Sequence, residues 1–326
     1  MSNEEISKSE YLNFVEDKFK KCFNEKRYIE EPPVDITSKI DPTVDFVGSK
    51  ISPLKKYLDN EDYGDIGRYI IQECMKFKSY KYLKTDVPQR FGCYYRGMGI
   101  IAKPELERIV KDTFDYLIDA KFLHIPPEDL CIKISSSDVD LIKATRDVDS
   151  KITRLVDQSS IEHYRHSYGM DEKNIFGRDF NIGLRKKDTD DFLSFAAFVI
   201  MENKERKLAV DMGISNLALS MYNFGTNSTV SSSRMADFID IDSITKEKFA
   251  DSLIAVATLL KEDITNNKSK HLRKKFKQYK QALNYWNEQL QYTNEDLVNL
   301  IVNYLTAEYH SSFEQRKDEF HKILTL

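Results

Sequence analysis

The sequence predicts an α+β fold in which a strand-bearing body is followed by an all-helical C-terminal region. Three observations carry this expectation. Four apolar runs between residues 130 and 211 have strand character. Everything beyond about residue 243 reads as helix. Between them, residues 226–233 form a Ser/Thr/Asn-rich stretch with the composition of a loop and of a domain boundary. Two units are therefore expected, residues 1–235 and residues 236–326. With 326 residues, 41% of them hydrophobic, the chain can bury the core of one large domain or of two ordinary ones. Its 18 Tyr and 19 Phe argue against disorder, which is poor in aromatics.

Taken in order, residues 9–27 predict a helix, because Tyr11, Phe14, Val15, Phe19 and Phe23 recur at helical spacing. Pro32-Pro33 breaks the chain and a loop with Asp41-Pro42 follows. Residues 66–78 give another helical pattern. Residues 84–101, with Gly92, Gly97 and Gly99, predict strands with a tight turn. Pro104 opens a helix whose apolar stripe is Leu106, Ile109, Val110, Thr113 and Leu117. Pro126-Pro127 ends it. Residues 130–134 and 180–184 read as strands, and residues 192–201 as a strand buried on both faces. Lys204-Glu205 make a turn, residues 207–211 the returning strand, and residues 213–221 a helix. In the tail, Leu272, Phe276, Tyr279, Leu283, Trp286 and Leu290 step by 4, 3, 4, 3 and 4, a helical seam.

A net charge of -4 means that nucleic-acid binding would have to come from a local patch. The basic stretch 268–280 is such a candidate. Arg273, Lys274, Lys275 and Lys277 within it present either a solvated helix face or a surface for phosphates. Cys22, Cys74, Cys93 and Cys131 are widely spaced and point to neither a zinc site nor a disulfide framework. His163 and His166 lack an evident partner ligand, so no metal site is expected. The opening Met1-Ser2-Asn3-Glu4-Glu5 has no signal-peptide core, and no run of 18 apolar residues exists. A reduced, cytoplasmic protein with no membrane partner is expected.

Several segments, in order, resemble the catalytic region of alanyl-tRNA synthetase. Tyr11-Leu12-Asn13-Phe14 and Lys39-Ile40-Asp41-Pro42-Thr43-Val44-Asp45-Phe46 resemble its opening helix and Asp-Pro-Thr loop. Pro53-Leu54-Lys55-Lys56-Tyr57-Leu58 extends the match. Gln89-Arg90 is similar to the arginine of motif 2, Ile152-Thr153-Arg154-Leu155 and Glu162-His163-Tyr164 to the approach to the amino-acid pocket, and Ala209-Val210-Asp211-Met212-Gly213 to motif 3. The stretch from Lys248 through Leu272-Arg273-Lys274-Lys275 resembles the helical tRNA-binding region.

The resemblance implies a class II synthetase-like antiparallel sheet flanked by helices. It also implies a ligase that joins an amino acid to ATP with Mg2+ and passes the acyl group to a tRNA or another acceptor. Residues 1–235 would then be the catalytic or ligand-binding domain and residues 236–326 a tRNA-recognition-like or partner-binding domain. Arg90 would be the catalytic residue, clamping the α-phosphate and the carboxylate with its guanidinium fork. Otherwise it is a surface arginine in an ion pair. Arg96 and Arg178 would add phosphate contacts. Asp211 would take the substrate's α-ammonium, with Gly213 beside it, or else cap a helix. Tyr164 would line the pocket or fill the core. Asn216 stands near where motif 3 carries an arginine for the γ-phosphate. That departure motivates a second expectation: a non-catalytic synthetase paralogue that binds an amino acid, RNA or a protein. The aromatic helical end allows a homodimer.

Overall fold

The computed structural model describes residues 6–167, 174–187 and 189–325. The acidic opening, residues 1–5, lies outside them. Helix α1 (Lys8–Glu25) begins at Ser7, whose side chain accepts from the Glu10 amide while Glu10 reaches back to it, a capping box. Strand β1 (Ile29–Glu30) and helix α2 (Lys56–Asn60) precede the long strands β2 (Gly67–Met75) and β3 (Tyr94–Ala102). Helix α3 (Leu106–Ile118), strand β4 (Leu130–Ser135), helix α4 (Val139–Ala144), strand β5 (Thr153–Asp157) and the short β6 (Arg165–His166) follow. The chain then makes a meander of β7 (Phe176–Arg185), β8 (Phe192–Glu202) and β9 (Lys207–Ser215) that feeds helix α5 (Asn216–Phe224). Helices α6 (Ile244–Lys261), α7 (Lys270–Leu290), α8 (Asn294–Tyr309) and α9 (Lys317–Thr325) form the C-terminal region.

The strands make one sheet in the order β1-β2-β3-β9-β8-β7-β4-β5, with β6 also on β7. Only β1–β2 and β4–β5 run parallel among the described pairs. This is the predicted α+β fold, with the antiparallel sheet flanked by helices that the resemblance implies.

Strand side chains alternate between the two faces. Met98, Ile100, Met212, Phe198, Ile200, Phe180 and Ile182 bury on one face against α1 and α3, where they meet Val15, Phe19, Ile109, Val110 and Leu117. Phe180 and Phe198 stand opposite in the register and their rings stack at 4.9 Å. Burying each such side chain contributes about 1.5–3 kcal/mol. The C-terminal helices close a second core. All of the seam from Leu272 to Trp286 is buried there, together with Ile36, Phe46, Met75 and Cys93 from the body.

Three expectations change. Residues 66–78 are not helical: Gly67–Met75 is strand β2, paired with β3 along its whole length. Tyr69, Ile70, Gln72, Cys74 and Met75 are all buried, so both faces of the strand are covered and no alternation marks it. Residues 84–101 supply one strand rather than two, since only Tyr94–Ala102 is extended. The strand before α5 runs to Ser215, so Asp211 and Gly213 are mid-strand residues and Asp211 caps no helix. The serine-rich stretch 226–233 is stapled in place. Ser220 donates to the Ser232 carbonyl at 2.8 Å, Ser228 to Glu247 at 2.9 Å, and the Thr229 amide to the Arg90 carbonyl at 2.9 Å.

Candidate ligand cavity on the sheet face

The face of the sheet opposite α1 and α3 carries a cavity of about 330 Å³. That is at the small end of small-molecule sites, which span about 300–1,000 Å³. Its floor is Tyr95 and Gly97 of β3, Asp211 and Gly213 of β9, Ala197 and Val199 of β8, and Asn181 of β7. Phe91, Phe195, Ser194, Thr229 and Lys76 also line it.

Lys50 lies across this floor. A methyl group on Gly97 would come within 3.3 Å of its stem, and one on Gly99 or Gly213 within 2.6 Å. Gly99 and Gly213 face each other in the β3–β9 register. The three glycines therefore form a trough that only their missing side chains open. At its end the Lys50 amine contacts Asp211 Oδ1 and donates to the Met212 carbonyl at 2.6 Å. Lys50 is 5% exposed and Asp211 4%. Burial pushes the Lys50 amine well below its usual range. The Asp211 carboxylate that it touches favours the charged amine.

The loop that delivers Lys50 is fixed from both sides. The Met75 amide donates to the Val47 carbonyl at 2.9 Å. Asp41 accepts from Thr43 Oγ1 at 2.6 Å and Ser52 Oγ at 2.8 Å, and lies 2.8 Å from the Lys55 amine. Burial raises the Asp41 carboxyl, but these donors outweigh it and hold the group below the usual carboxylate range. The Asp-Pro-Thr loop thus acts here as the anchor of the Lys50 segment.

The predicted site residues separate. Asp211 and Gly213 line the cavity and are covered by Lys50. Arg90 does not line it. It is exposed and borders a second cavity of about 260 Å³ with Arg185, Lys186 and Lys187. No ion pair to its guanidinium is found among the described residues.

Arg96, expected at phosphate, points to the other side of β3. It pairs with Glu16 at 2.7 Å, Glu308 at 2.8 Å and Glu73 at 3.6 Å. These carboxylates consume its donors, so the placement speaks against a phosphate role. Asn216 joins the same buried group, donating to Glu16 at 2.9 Å, and faces away from the cavity. Arg234 completes it, with Glu308 at 2.9 Å and the Ser9 carbonyl at 2.7 Å.

Arg178 is likewise committed. It contacts Asp138, Asp140 at 2.7 Å and Glu202 at 2.9 Å, and so ties β7 to β8 and to the start of α4. Tyr164 is buried with its hydroxyl on Asp157, outside the cavity lining. His166 lies 3.3 Å from Asp179, and His163 packs edge-on to Tyr164. In the tail, Lys275 is buried on Asp45 at 2.6 Å and over the Phe77 ring at 3.5 Å, which removes it from any phosphate surface. Lys274 and Lys277 are exposed, and Arg273 is half-buried with a bond to the Asn267 carbonyl.

Lys50, Lys76, Phe91, Tyr95 and Ala197 are among the lining residues that sequence reasoning missed. The signal was the Gly97-x-Gly99 spacing, which in a strand means one uncovered face. Nothing in the sequence says that the residue filling the trough is 161 positions from Asp211.

No family model and no curated sequence matches the chain. Among solved structures it is similar to an apo histidyl-tRNA synthetase of S. aureus, at 9% identity and a TM-score of 0.40, over 71% of this chain and 67% of that one. It is similar to the aspartyl-tRNA synthetase of Entamoeba histolytica at 8% identity and a TM-score of 0.39, over 69% of this chain but only 56% of that one. It is also similar to the pyrrolysyl-tRNA synthetase of Desulfitobacterium hafniense, at 11% identity and a TM-score of 0.37, over 68% and 73%. These enzymes differ in amino acid, so the likeness is not specific to the alanyl enzyme. At such values it concerns the outline of the fold and assigns no residue a role.

Proposed function

We propose that this chain is a synthetase-like binding protein whose sheet-face cavity takes an amino-acid-sized carboxylic acid without activating it through ATP. The observation that carries this reading is the donor set of the cavity. Its described lining offers one carboxylate, Asp211, already held by Lys50, and two amines, but no arginine. Mg2+-ATP needs free carboxylate oxygens for the metal and fixed cations for the triphosphate. The residues present do not fit it. The apolar and aromatic walls from Phe91, Phe195, Ala197 and Val199 suit a small organic side chain, and the Lys76 amine stands at the cavity over the Tyr95 ring. In this reading residues 1–235 hold the ligand, and residues 236–326 are the helical unit that braces the cavity or meets a partner.

One observation favours the ATP-dependent alternative. The neighbouring cavity gathers Arg90, Arg185, Lys186 and Lys187, a set of cations suited to phosphates. Amino-acid-dependent ATP–pyrophosphate exchange on the full chain, with all twenty amino acids and Arg90→Ala as control, separates the two. The binding reading expects no exchange above background. Exchange that needs one amino acid and is lost in Arg90→Ala refutes it.

A further inference from the structure

The second cavity, of about 260 Å³, lies where the β7–β8 hairpin meets the C-terminal end of α5. The hairpin's own cations are spent on acids. Arg185 lies 3.4 Å from Asp129 and 3.1 Å from Asp190, and Lys186 lies 3.0 Å from Asp191. Arg90 and Lys187 line the same cavity and are exposed, and neither has a carboxylate partner among the described residues. Their attachment to the cavity is nevertheless fixed. The Arg90 carbonyl accepts from the Thr229 amide at 2.9 Å, and the Thr229 hydroxyl accepts from the Gly92 amide at 2.9 Å, so the backbone around Arg90 is sewn to the serine-rich loop. The Lys187 stem lies over Gly225, the residue that ends α5, where an added methyl would come within 2.8 Å of Lys187 Cδ.

Two unpaired cations on one concave wall raise the local potential for an anion. An arginine fork takes phosphate oxygens two at a time, and a lysine adds a point charge. The floor between them is apolar: Leu184, Ala218 and Met221 are buried and Leu193 is half-buried. No carboxylate is found among the described lining residues, so the wall offers Mg2+ no anionic ligand. We propose that this cavity is a metal-independent site for phosphate monoesters of small apolar alcohols. Arg90 and Lys187 grip the phosphate, and the apolar floor takes the organic group. The charge of a phosphate monoester, close to -2 at neutral pH, matches the two unpaired cations, whereas a carboxylate brings only one negative charge. The site is separate from the sheet-face cavity and does not depend on the ligand read there.

The test is calorimetric titration of the full chain in magnesium-free buffer with EDTA, using phenyl phosphate, benzoate and phenol as probes. Phenyl phosphate is expected to bind about tenfold or more tighter than benzoate or phenol. Arg90→Gln and Lys187→Gln each weaken its binding about tenfold. Lys274→Gln, which removes an exposed charge on α7, leaves it unchanged. Arg90 and Lys187 are exposed, so their substitution leaves the core intact. No binding, equal affinity for phenyl phosphate and benzoate, affinity indifferent to Arg90→Gln and Lys187→Gln, or an equal loss in Lys274→Gln overturns the proposal. A requirement for Mg2+, or tighter binding of Mg2+-ATP than of phenyl phosphate, also overturns it and assigns these cations to the ATP-dependent alternative.

Discussion

Replacing Lys50 by methionine keeps an unbranched stem over Gly97, Gly99 and Gly213 and removes only the amine. Asp211, 4% exposed, is then a buried carboxylate without its cation. Breaking a buried pair from one side costs about 3–5 kcal/mol, because the remaining charge has lost its compensation. Asp211→Asn strands the Lys50 amine in the same way and carries a similar cost. The double variant Lys50→Met/Asp211→Asn strands no charge. It should lose much less than the sum of the single variants, giving a coupling energy of about 3 kcal/mol, the upper end for residues in contact. Urea denaturation of the four proteins at neutral pH gives the three differences from their midpoints and slopes. Additive effects, or single variants that each cost under about 1 kcal/mol, would mean that the pair is solvated. Lys50 would then not be a fixed part of the cavity floor, and the reasoning about its charge would fall with it.

Two other buried acids give independent checks. Burial raises the Asp251 carboxyl to about 6, against the partial relief of the Cys93 amide that it accepts at 2.7 Å. Its folded value lies above its unfolded one. The protonated form therefore adds stability at low pH, and that contribution is lost as pH rises through about 6. From the two values the loss is about 2 kcal/mol between pH 4 and 7. Asp251→Asn, whose amide oxygen can still accept from Cys93, should lack this component when urea midpoints are followed across that range. An unchanged pH dependence would place the titrating group elsewhere. Glu308→Gln removes the carboxylate that lies 2.8 Å from Arg96 and 2.9 Å from Arg234. Two buried guanidiniums would then share Glu16 and the more distant Glu73. A loss of about 3–5 kcal/mol is expected, together with faster hydrogen exchange in α8. A loss under about 1 kcal/mol would show that α8 is not held to the sheet through this cluster.

The elements legible in the sequence were those whose pattern is local. The α3 stripe, the C-terminal seam and the run at residues 192–201 all read correctly, because burial alone sets their spacing. Strand β2 was missed because it is covered on both faces, so its apolar residues show no period of two. The first turn expected of α5 belongs to β9, since Gly213 is needed opposite Gly99 under the Lys50 stem.

The candidate site was less legible, for a physical reason. An arginine that binds phosphate and one that ties together a core have the same composition signature. Arg96 and Arg178 differ from a free phosphate ligand only through Glu16, Glu73 and Glu308, and through Asp138, Asp140 and Glu202, which come from distant parts of the chain. Asp211 was expected to hold a substrate ammonium or to cap a helix, and the structure sets a lysine of the chain itself on it. That its partner is Lys50 depends on a long-range contact that no local pattern encodes.

The central claim is that the cavity receives a carboxylic acid while the Lys50–Asp211 pair stays closed. A crystal structure of the full chain grown with an amino-acid-sized carboxylic acid tests it most directly. The ligand is expected between Phe91, Tyr95 and Ala197, with the Lys50 amine still on Asp211. A ligand bound instead beside Arg90, or one that displaces Lys50 from Asp211, would contradict it.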